Sequence, residues 1–449
     1  MIELAPVTIP DFGVPLARPA IPAATYAGRC DRLYARAGTD WVVVYADREH
    51  AANIVHCTGF EPRFEEALLL LGANGRRVLV TGNESESYAV VSPLPGLEVL
   101  LAQSLSLMAQ DRTRRPSLSA VLAEAGLRPG DSVGIVGWKY LEAEEGDGYL
   151  VPHALVRALE RVIGAEGSLT DATALLMHPD TGDRSTVDAD QIAFFEWGAA
   201  RASASVARIV MSAQPGISEL ELATHLGYAG EVLSCHTMLS SATAPDAVIG
   251  LSSPSARVLR EGDGITTAVG YWGGLSSRAG LLAAFDADFL AVAKAYFAGL
   301  ITWYATAKPG VTGGALHAAV IESLARGGLV PALNPGHLVS YDEWPHSPVS
   351  PGSDIVIRSG MPFQVDVIPT PMRPGQALNL EDGIVFADPT LRADLAARHP
   401  EVAARIAARR AFIADRLGIG LDETILPLAS NPLCLAPFWL APELLLVVE

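Results

Sequence analysis

The chain has 449 residues, of which 50% are hydrophobic and 18% charged, a composition that excludes a disordered protein and at this length points to two domains. Fifty acids against 32 Lys and Arg give a formal net charge of -18, and no run of five or more basic residues occurs, so nucleic acid is excluded as a partner. Four scattered cysteines (Cys30, Cys57, Cys235, Cys434) form no CxxC pair, which argues against a zinc knuckle or a disulfide framework and fits reduced thiols in a cytoplasm.

The first 25 residues hold five prolines and lack both a basic start and an apolar core of signal-peptide length. No apolar run reaches the roughly 18 residues of a membrane span, so neither leader nor membrane partner is expected. From Tyr26 to about Asp180, short apolar runs alternate with amphipathic segments: WVVVYAD (41–47), RRVLVTG (76–82), GLEVLLA (96–102) and DSVGIVG (131–137) read as buried strands. That alternation predicts an α/β layer with a largely parallel sheet. The polar, turn-rich HPDTGDRST (178–186) marks a boundary between a domain of residues 1–184 and one of 185–449. In the second domain a helix beginning near Asp188 ends in AQPG (213–216), and a helix from Asp288 ends in AKPG (307–310). Each Pro-Gly stop is followed by another helix, the first opened by a Ser218-x-x-Glu221 capping box. Each copy then runs into a strand, EGDGITTAVGYW or RSGMPFQVDVIP. The tail, LPLASNPLCLAPFWLAPELLLVVE, is very apolar but broken by prolines, and packs against its own domain or a second subunit rather than a membrane.

Laying Gly262-Asp263 on Gly360-Met361 sets Ala268 opposite Asp366. A duplicated α+β half packs around a pseudo-twofold axis, with a site where corresponding strands meet. To that site the second half would bring an acid and the first a methyl group.

Several motifs then agree in order: HCTGFEPRFEEALLLL (56–71), the duplicated helix-Pro-Gly-helix-strand unit, NPGHLVSYDEW (334–344), SGMPFQVDVIP (359–369) and NLEDGIVF (379–386). Together they resemble the family of aminopeptidase P, prolidase and creatinase, over nearly the whole chain after residue 20. The resemblance implies an α/β amino-terminal domain followed by the α+β pita-bread domain with its internal duplication. Metal-dependent members of that family hold two divalent ions with two Asp from the first half and one His and two Glu from the second. The first Asp, in GD-x-x-x-x-D-x-G, falls on Ala268; the second, in GY-x-x-D-x-x-R, falls on Gly274, Leu275 or Ser276. The His falls on His337, the first Glu on Asp366 and the second on Glu381. A further family His is out of register, with Trp344 at its place and His346 two beyond. The metal-free creatinase branch carries its base in H-x-x-P, where Leu251 or a nearby serine stands in IGLSSPSARVL, and His236 is the nearest imidazole upstream.

Two hard cations close together need bridging carboxylates, so a dinuclear centre is not expected; no cofactor is, beyond a single divalent ion on His337, Asp366 and Glu381 as the one conceivable metal. The expected activity is hydrolysis of a C–N bond in a small amino acid derivative or dipeptide-like molecule, by His337, Asp366 and Glu381 with His346 as proton carrier. Arg278 and Arg373 would hold an anionic group of the substrate, and Trp344, with Trp272, Tyr271 and Tyr341, would wall the pocket. Each residue has an ordinary alternative: a backbone-bonded loop histidine at His337, a water-facing acid at Asp366, a solvated turn acid at Glu381, surface arginines and core aromatics. Two further readings stand beside this one: a non-catalytic protein that binds a small molecule or a protein in the same cavity, and a true metal-dependent Xaa-Pro aminopeptidase with misplaced ligands. By analogy with the family a homodimer is expected. No G-x-S-x-G elbow occurs, and YWGGLSS lacks the lysine of a P-loop.

Overall fold

The computed structural model describes residues 1–141 and 148–449, which fall into two units, 21–185 and a larger one made of 1–20 together with 186–449. The first strand, β1 (Ile2–Pro6), belongs to the larger unit. The smaller unit is built on β2 (Trp41–Ala46), β3 (Ala67–Gly72), β4 (Arg76–Thr81), β5 (Leu97–Leu101), β6 (Ser132–Val136) and β7 (Ser168–Asp171), in the spatial order β5-β4-β3-β2-β6-β7. Strands β2 and β3 are buried along their whole length, as strands covered on both faces must be. Val43, Leu68, Leu70 and Val80 meet Leu122 and Leu159 of the flanking helices in one core.

This sheet is mixed rather than largely parallel. The pairs β4–β5, β2–β6 and β6–β7 are parallel, but β3 runs antiparallel to both β2 and β4. The cause is local: Asn74 (φ 59°) and Gly75 (φ 72°) take the left-handed conformation of a tight hairpin turn, which returns the chain from β3 directly into β4.

In the larger unit, β1 pairs antiparallel with β17 (Leu444–Val448), Ile2 opposite Val448. Residues 1–20 therefore belong with the carboxy-terminal unit and not, as the sequence reading had them, with the amino-terminal domain. The reason is the apolar tail: Leu445, Leu446 and Val447 are buried in that unit's core beside Phe438 and Trp439, and β1 completes their sheet. The tail thus packs against its own domain.

The central sheet is formed by β8 (Met238–Ala242), β9 (Gly264–Tyr271), β10 (Gly274–Leu281), β12 (His337–Leu338), β13 (Pro362–Asp366) and β15 (Asn379–Phe386), in the order β12-β13-β15-β10-β9-β8, with β16 (Ile425–Pro427) on β15. A small ribbon of β11 (Val330–Pro331) and β14 (Pro369–Thr370) lies apart. The two long helices of the duplicated unit, Ala189–Ser212 and Ala287–Thr306, are capped by the side chains of Asp188 and Asp286, and Ser218 with Glu221 forms the capping box expected before the next helix. The first long helix lies so close to the β9–β10 turn that a Cβ on Gly198 would come within 2.3 Å of the Trp272 carbonyl. The second is apolar enough by length and composition to cross a membrane, with a mean hydropathy of 1.2, yet its Phe289, Phe297 and Trp303 are buried in the core of this unit.

Candidate functional site

The strand registers set up one row of residues across the central sheet. Met238 pairs with Ala268, Ala268 with Ser277, Ser277 with Glu381, and Glu381 with Asp366. Side chains of directly opposed residues share a face of the sheet, and all five line a cavity of about 770 Å3. The row is symmetric about the seam between β10 and β15. On one side stand the carboxylates Glu381 and Asp366; on the other stand the hydroxyl of Ser277 and the methyl of Ala268. The duplication therefore matches Ala268 with Asp366, as the sequence overlay had it, and Ser277 with Glu381. The position sought at Gly274, Leu275 or Ser276 is Ser277. Ala268 and Ser277 lie equally far from the two-residue turn Trp272-Gly273. A Cβ on Gly273 (φ 88°) would come within 2.1 Å of the Phe195 ring. Leu275 also faces the cavity but one rung away, where it packs with Met238 and Ala268.

His337 enters from β12, which pairs with β13. The imidazole is fully buried, and its Nδ1–H donates to the carbonyl of Leu338 at 2.9 Å. This leaves Nε2 facing two carboxylates, 3.0 Å from Glu343 Oε1 and 3.8 Å from Glu381 Oε1. The indole of Trp344 lies flat on the imidazole, ring centroids 4.0 Å apart. Gln364 steadies Glu381, its Nε2 donating to Oε1 at 3.1 Å and to the Leu275 carbonyl at 2.6 Å. Ligand atoms of His337, Asp366 and Glu381 lie within 4.8 Å of one another. Asp366 Oδ1 is buried with no hydrogen-bond partner.

The electrostatics follow from burial and crowding. Burial, reinforced by the charge of Glu381, pushes the Asp366 carboxyl well above the usual carboxylate range, although His337 pulls it down. Glu381 is raised as well, by burial first, with the His337 hydrogen bond opposing. For His337, burial works toward the neutral ring, but Glu343 and Glu381 outweigh it and hold the imidazole well above its ordinary value. At the floor of the cavity the surroundings thus favour the charged ring at His337, which lies beside Glu343, and the neutral carboxyl at Asp366. Cys235, on the wall, is pushed up to about 12 by burial and by Glu343 and Glu381, so it is no nucleophile.

The structure brings His337, Asp366 and Glu381 together and sets Trp344 at the cavity wall. Arg373 lies at the rim, its guanidinium paired with Asp288 at 3.0 Å and 68% exposed. Arg278 is not at the cavity. The alternation of β10 turns it to the opposite face, where it donates to both oxygens of buried Asp382 (3.0 and 3.1 Å) and to the carbonyls of Cys434, Glu381 and Asn431. It is a structural arginine and not a substrate ligand. His346 is not among the described residues that line the cavity. After β12 the chain loops and returns so that Leu338 N donates to the His346 carbonyl at 2.8 Å, and this return carries Glu343, rather than a second imidazole, to His337. Glu343 and Ser277 were missed in the sequence. Counting outward from Trp272-Gly273 would have found Ser277; nothing local distinguishes Glu343 from Asp342 beside it. His236 stands on the cavity wall, exposed, its Nε2–H donating to the Leu251 carbonyl at 2.9 Å.

The row does not fit two ions, since Ala268 and Ser277 bring no carboxylate to its other flank. The residues present fit one, for His337, Asp366 and Glu381 are a compact one-imidazole, two-carboxylate set with an orphaned oxygen at Asp366.

Residues 198–408 match the model of metallopeptidase family M24. No curated protein matches significantly. Among solved structures the chain is similar to a prolidase from Thermococcus sibiricus (TM-score 0.65, 16% identity, 82% of this chain and 95% of that one). It is likewise similar to a prolidase from Pyrococcus horikoshii (TM-score 0.63, 15% identity, 81% and 95%) and to the dipeptidase PepE from Mycobacterium ulcerans (TM-score 0.58, 20% identity, 82% and 94%). At these identities the likeness is one of fold: an amino-terminal α/β domain followed by a pita-bread domain. Motif order, the family model over residues 198–408 and the fold agree, and all three liken this chain to the M24 prolidases and aminopeptidases P.

Proposed function

We propose that this chain hydrolyses a C–N bond in a small amino acid derivative or dipeptide-like molecule with no metal pair, using at most one divalent ion. The observation that carries this reading is the asymmetric row Ala268, Ser277, Glu381, Asp366. Two cations a few ångströms apart need carboxylates on both flanks to offset their repulsion, and here one flank has none. If one ion is held, His337, Asp366 and Glu381 would hold it in their deprotonated forms and it would supply Lewis-acid polarisation of a carbonyl; the proton transfers that follow are those of the site without an ion.

The chain's own groups supply the proton transfers. Glu343 faces the cavity and accepts a proton from water as the hydroxide equivalent adds to the carbonyl carbon. The adjacent imidazolium of His337 orients Glu343 and offsets the charge that develops. Asp366, protonated, gives its proton to the leaving nitrogen as the C–N bond breaks, and regains one from Glu343. Positioned acid–base catalysis of this kind contributes about 10²–10⁴ in rate.

The test is metal analysis of protein purified without chelator, combined with hydrolysis of a panel of small amides and Xaa-Pro dipeptides with and without added Mn. At most one equivalent of metal per chain and turnover lost in Glu343→Gln are expected. Two equivalents of Mn, Zn or Co per chain would overturn the proposal in favour of a dinuclear peptidase. Absence of any hydrolysis, with His337→Ala as stable as the parent, would leave a binding protein.

A further inference from the structure

The two ends of the cavity differ in chemistry. At the floor stand acceptors: Glu343, Glu381 and Asp366, the last 6% exposed, with its Oδ1 unpartnered. Among the described residues that line the cavity the basic side chains are Arg373, at the rim and paired with Asp288, and His236, bonded to the Leu251 carbonyl. Above the floor the walls turn aliphatic, through Met238, Leu275, Ile368 and Met372. The loop 247–251 continues this surface outward: Ile249 and Leu251 line the cavity yet remain 59% and 75% exposed. A buried acceptor without a partner is unfavourable unless a donor arrives, and an apolar sleeve leading from it into water is the surface an apolar ligand body would cover. A volume of about 770 Å3 lies within the range that encloses a drug-sized ligand.

We infer that this cavity takes an amphipathic nitrogen compound: an N–H-bearing head seated on Asp366 and Glu381, and an aliphatic or aromatic body of several carbons lying along the 247–251 loop. It rests on the hydrolase reading only in sharing the cavity. The loop makes it selective for the length of the body. Ser240 Oγ donates to the Ile249 carbonyl at 2.6 Å, Leu239 N to the Ser252 carbonyl at 3.0 Å and His236 Nε2 to the Leu251 carbonyl at 2.9 Å, so strand β8 and its approach hold the sleeve in place.

Calorimetric titration of the full chain with propylamine, pentylamine and heptylamine, and with butanoate, hexanoate and octanoate, tests this without requiring turnover. Affinity of the amines should rise about fourfold per added methylene until the sleeve is filled, and the carboxylates should not bind. Ile249→Asp, at a site exposed enough to leave folding intact, should weaken heptylamine at least tenfold and leave propylamine unchanged, with Ile249→Leu restoring the parent values. A flat amine series, carboxylates that bind as well as amines, or an Ile249→Asp effect equal on the short and long amines would overturn the inference. A graded amine series with no hydrolysis of any C–N substrate would support it while refuting the hydrolase; hydrolysis with a flat series would do the reverse.

Discussion

Arg278 and Asp382 give the sharpest test of how this site is held. Both are buried, with side chains 3% and 2% exposed, and they meet through one guanidinium nitrogen at 3.0 and 3.1 Å. Asp382 also accepts from Leu433 N at 2.9 Å, yet burial still pushes its carboxyl up. The pair therefore does little more than offset its own desolvation. Breaking it is another matter. Arg278→Met leaves a buried carboxylate and frees the carbonyls of Ser277, Glu381, Asn431 and Cys434. That should cost about 3–5 kcal/mol, a drop of about 10 °C in Tm for a unit of this size. With the guanidinium gone Asp382 rises further, so the deficit should shrink as the solution is acidified. Arg278→Met with Asp382→Leu removes both charges and should recover at least half of the loss. Urea unfolding at pH 7, followed through the buried Trp303 and Trp439, measures all three chains. A single variant with the parent midpoint, or a double variant less stable than the single one, would refute the reasoning.

Glu343→Gln removes the nearer of the two carboxylates beside His337 and leaves Glu381 at 3.8 Å. Turnover should fall by about 10²–10⁴, and the urea midpoint at pH 7 should drop as well, because Glu343 is the first of the two carboxylates that raise buried His337; a variant that keeps its turnover while losing stability would contradict the assigned role. Stability itself should fall between pH 7 and pH 9. His337 has its folded pKa raised, so its contribution is complete below about 6.5 and is lost as pH climbs through the folded value. Asp366 and Glu381 are raised too, so the burden of ionising them in place appears above their unfolded values and grows with pH. His56, lowered to about 3, works in the opposite direction, but only below about 6.5. Each proton held only by the folded state is worth up to about 1.4 kcal/mol per pH unit. Urea midpoints at pH 7, 8 and 9 should decline, and less steeply in His337→Gln; a rise would exclude the assigned protonation.

The fold was legible where the pattern is local and periodic: the buried strands, the Pro-Gly stops and the Ser218–Glu221 box are all short-range signals. It was misread where a two-residue turn decides direction. Asn74-Gly75 carries a strong hairpin signal, but it lies inside LLLLGANGRRVLV, and the continuous apolar run before it reads equally well as a parallel strand. The partnership of residues 1–20 with the tail could not be read at all, because nothing in IELAP names LLLVV as its partner. At the site, His337, Asp366 and Glu381 were legible as motif positions, and Ala268 through the duplication. Arg278 was misassigned because side-chain parity along β10 depends on where the β9–β10 turn falls, and a one-residue slip sends every side chain to the other face.

That same parity bears on why the row has the composition it does. Four carboxylates in a line, closed off from water, would stand only if cations sat between them or if most were protonated. With Glu381 and Asp366 kept and Ala268 and Ser277 opposite, the row has two acids, one of which burial and its neighbour already favour in the neutral form. Glu343, from outside the row, lies 3.0 Å from His337 Nε2 and helps raise that imidazole. On the proposed reading, restoring the missing acids should make the empty site unstable and metal-dependent. Ala268→Asp with Ser277→Asp would place two more carboxylates at positions only 7% and 3% exposed, so the melting temperature of that chain should fall without metal and rise with added Mn. The parent, with its charges already matched, should respond to Mn far less.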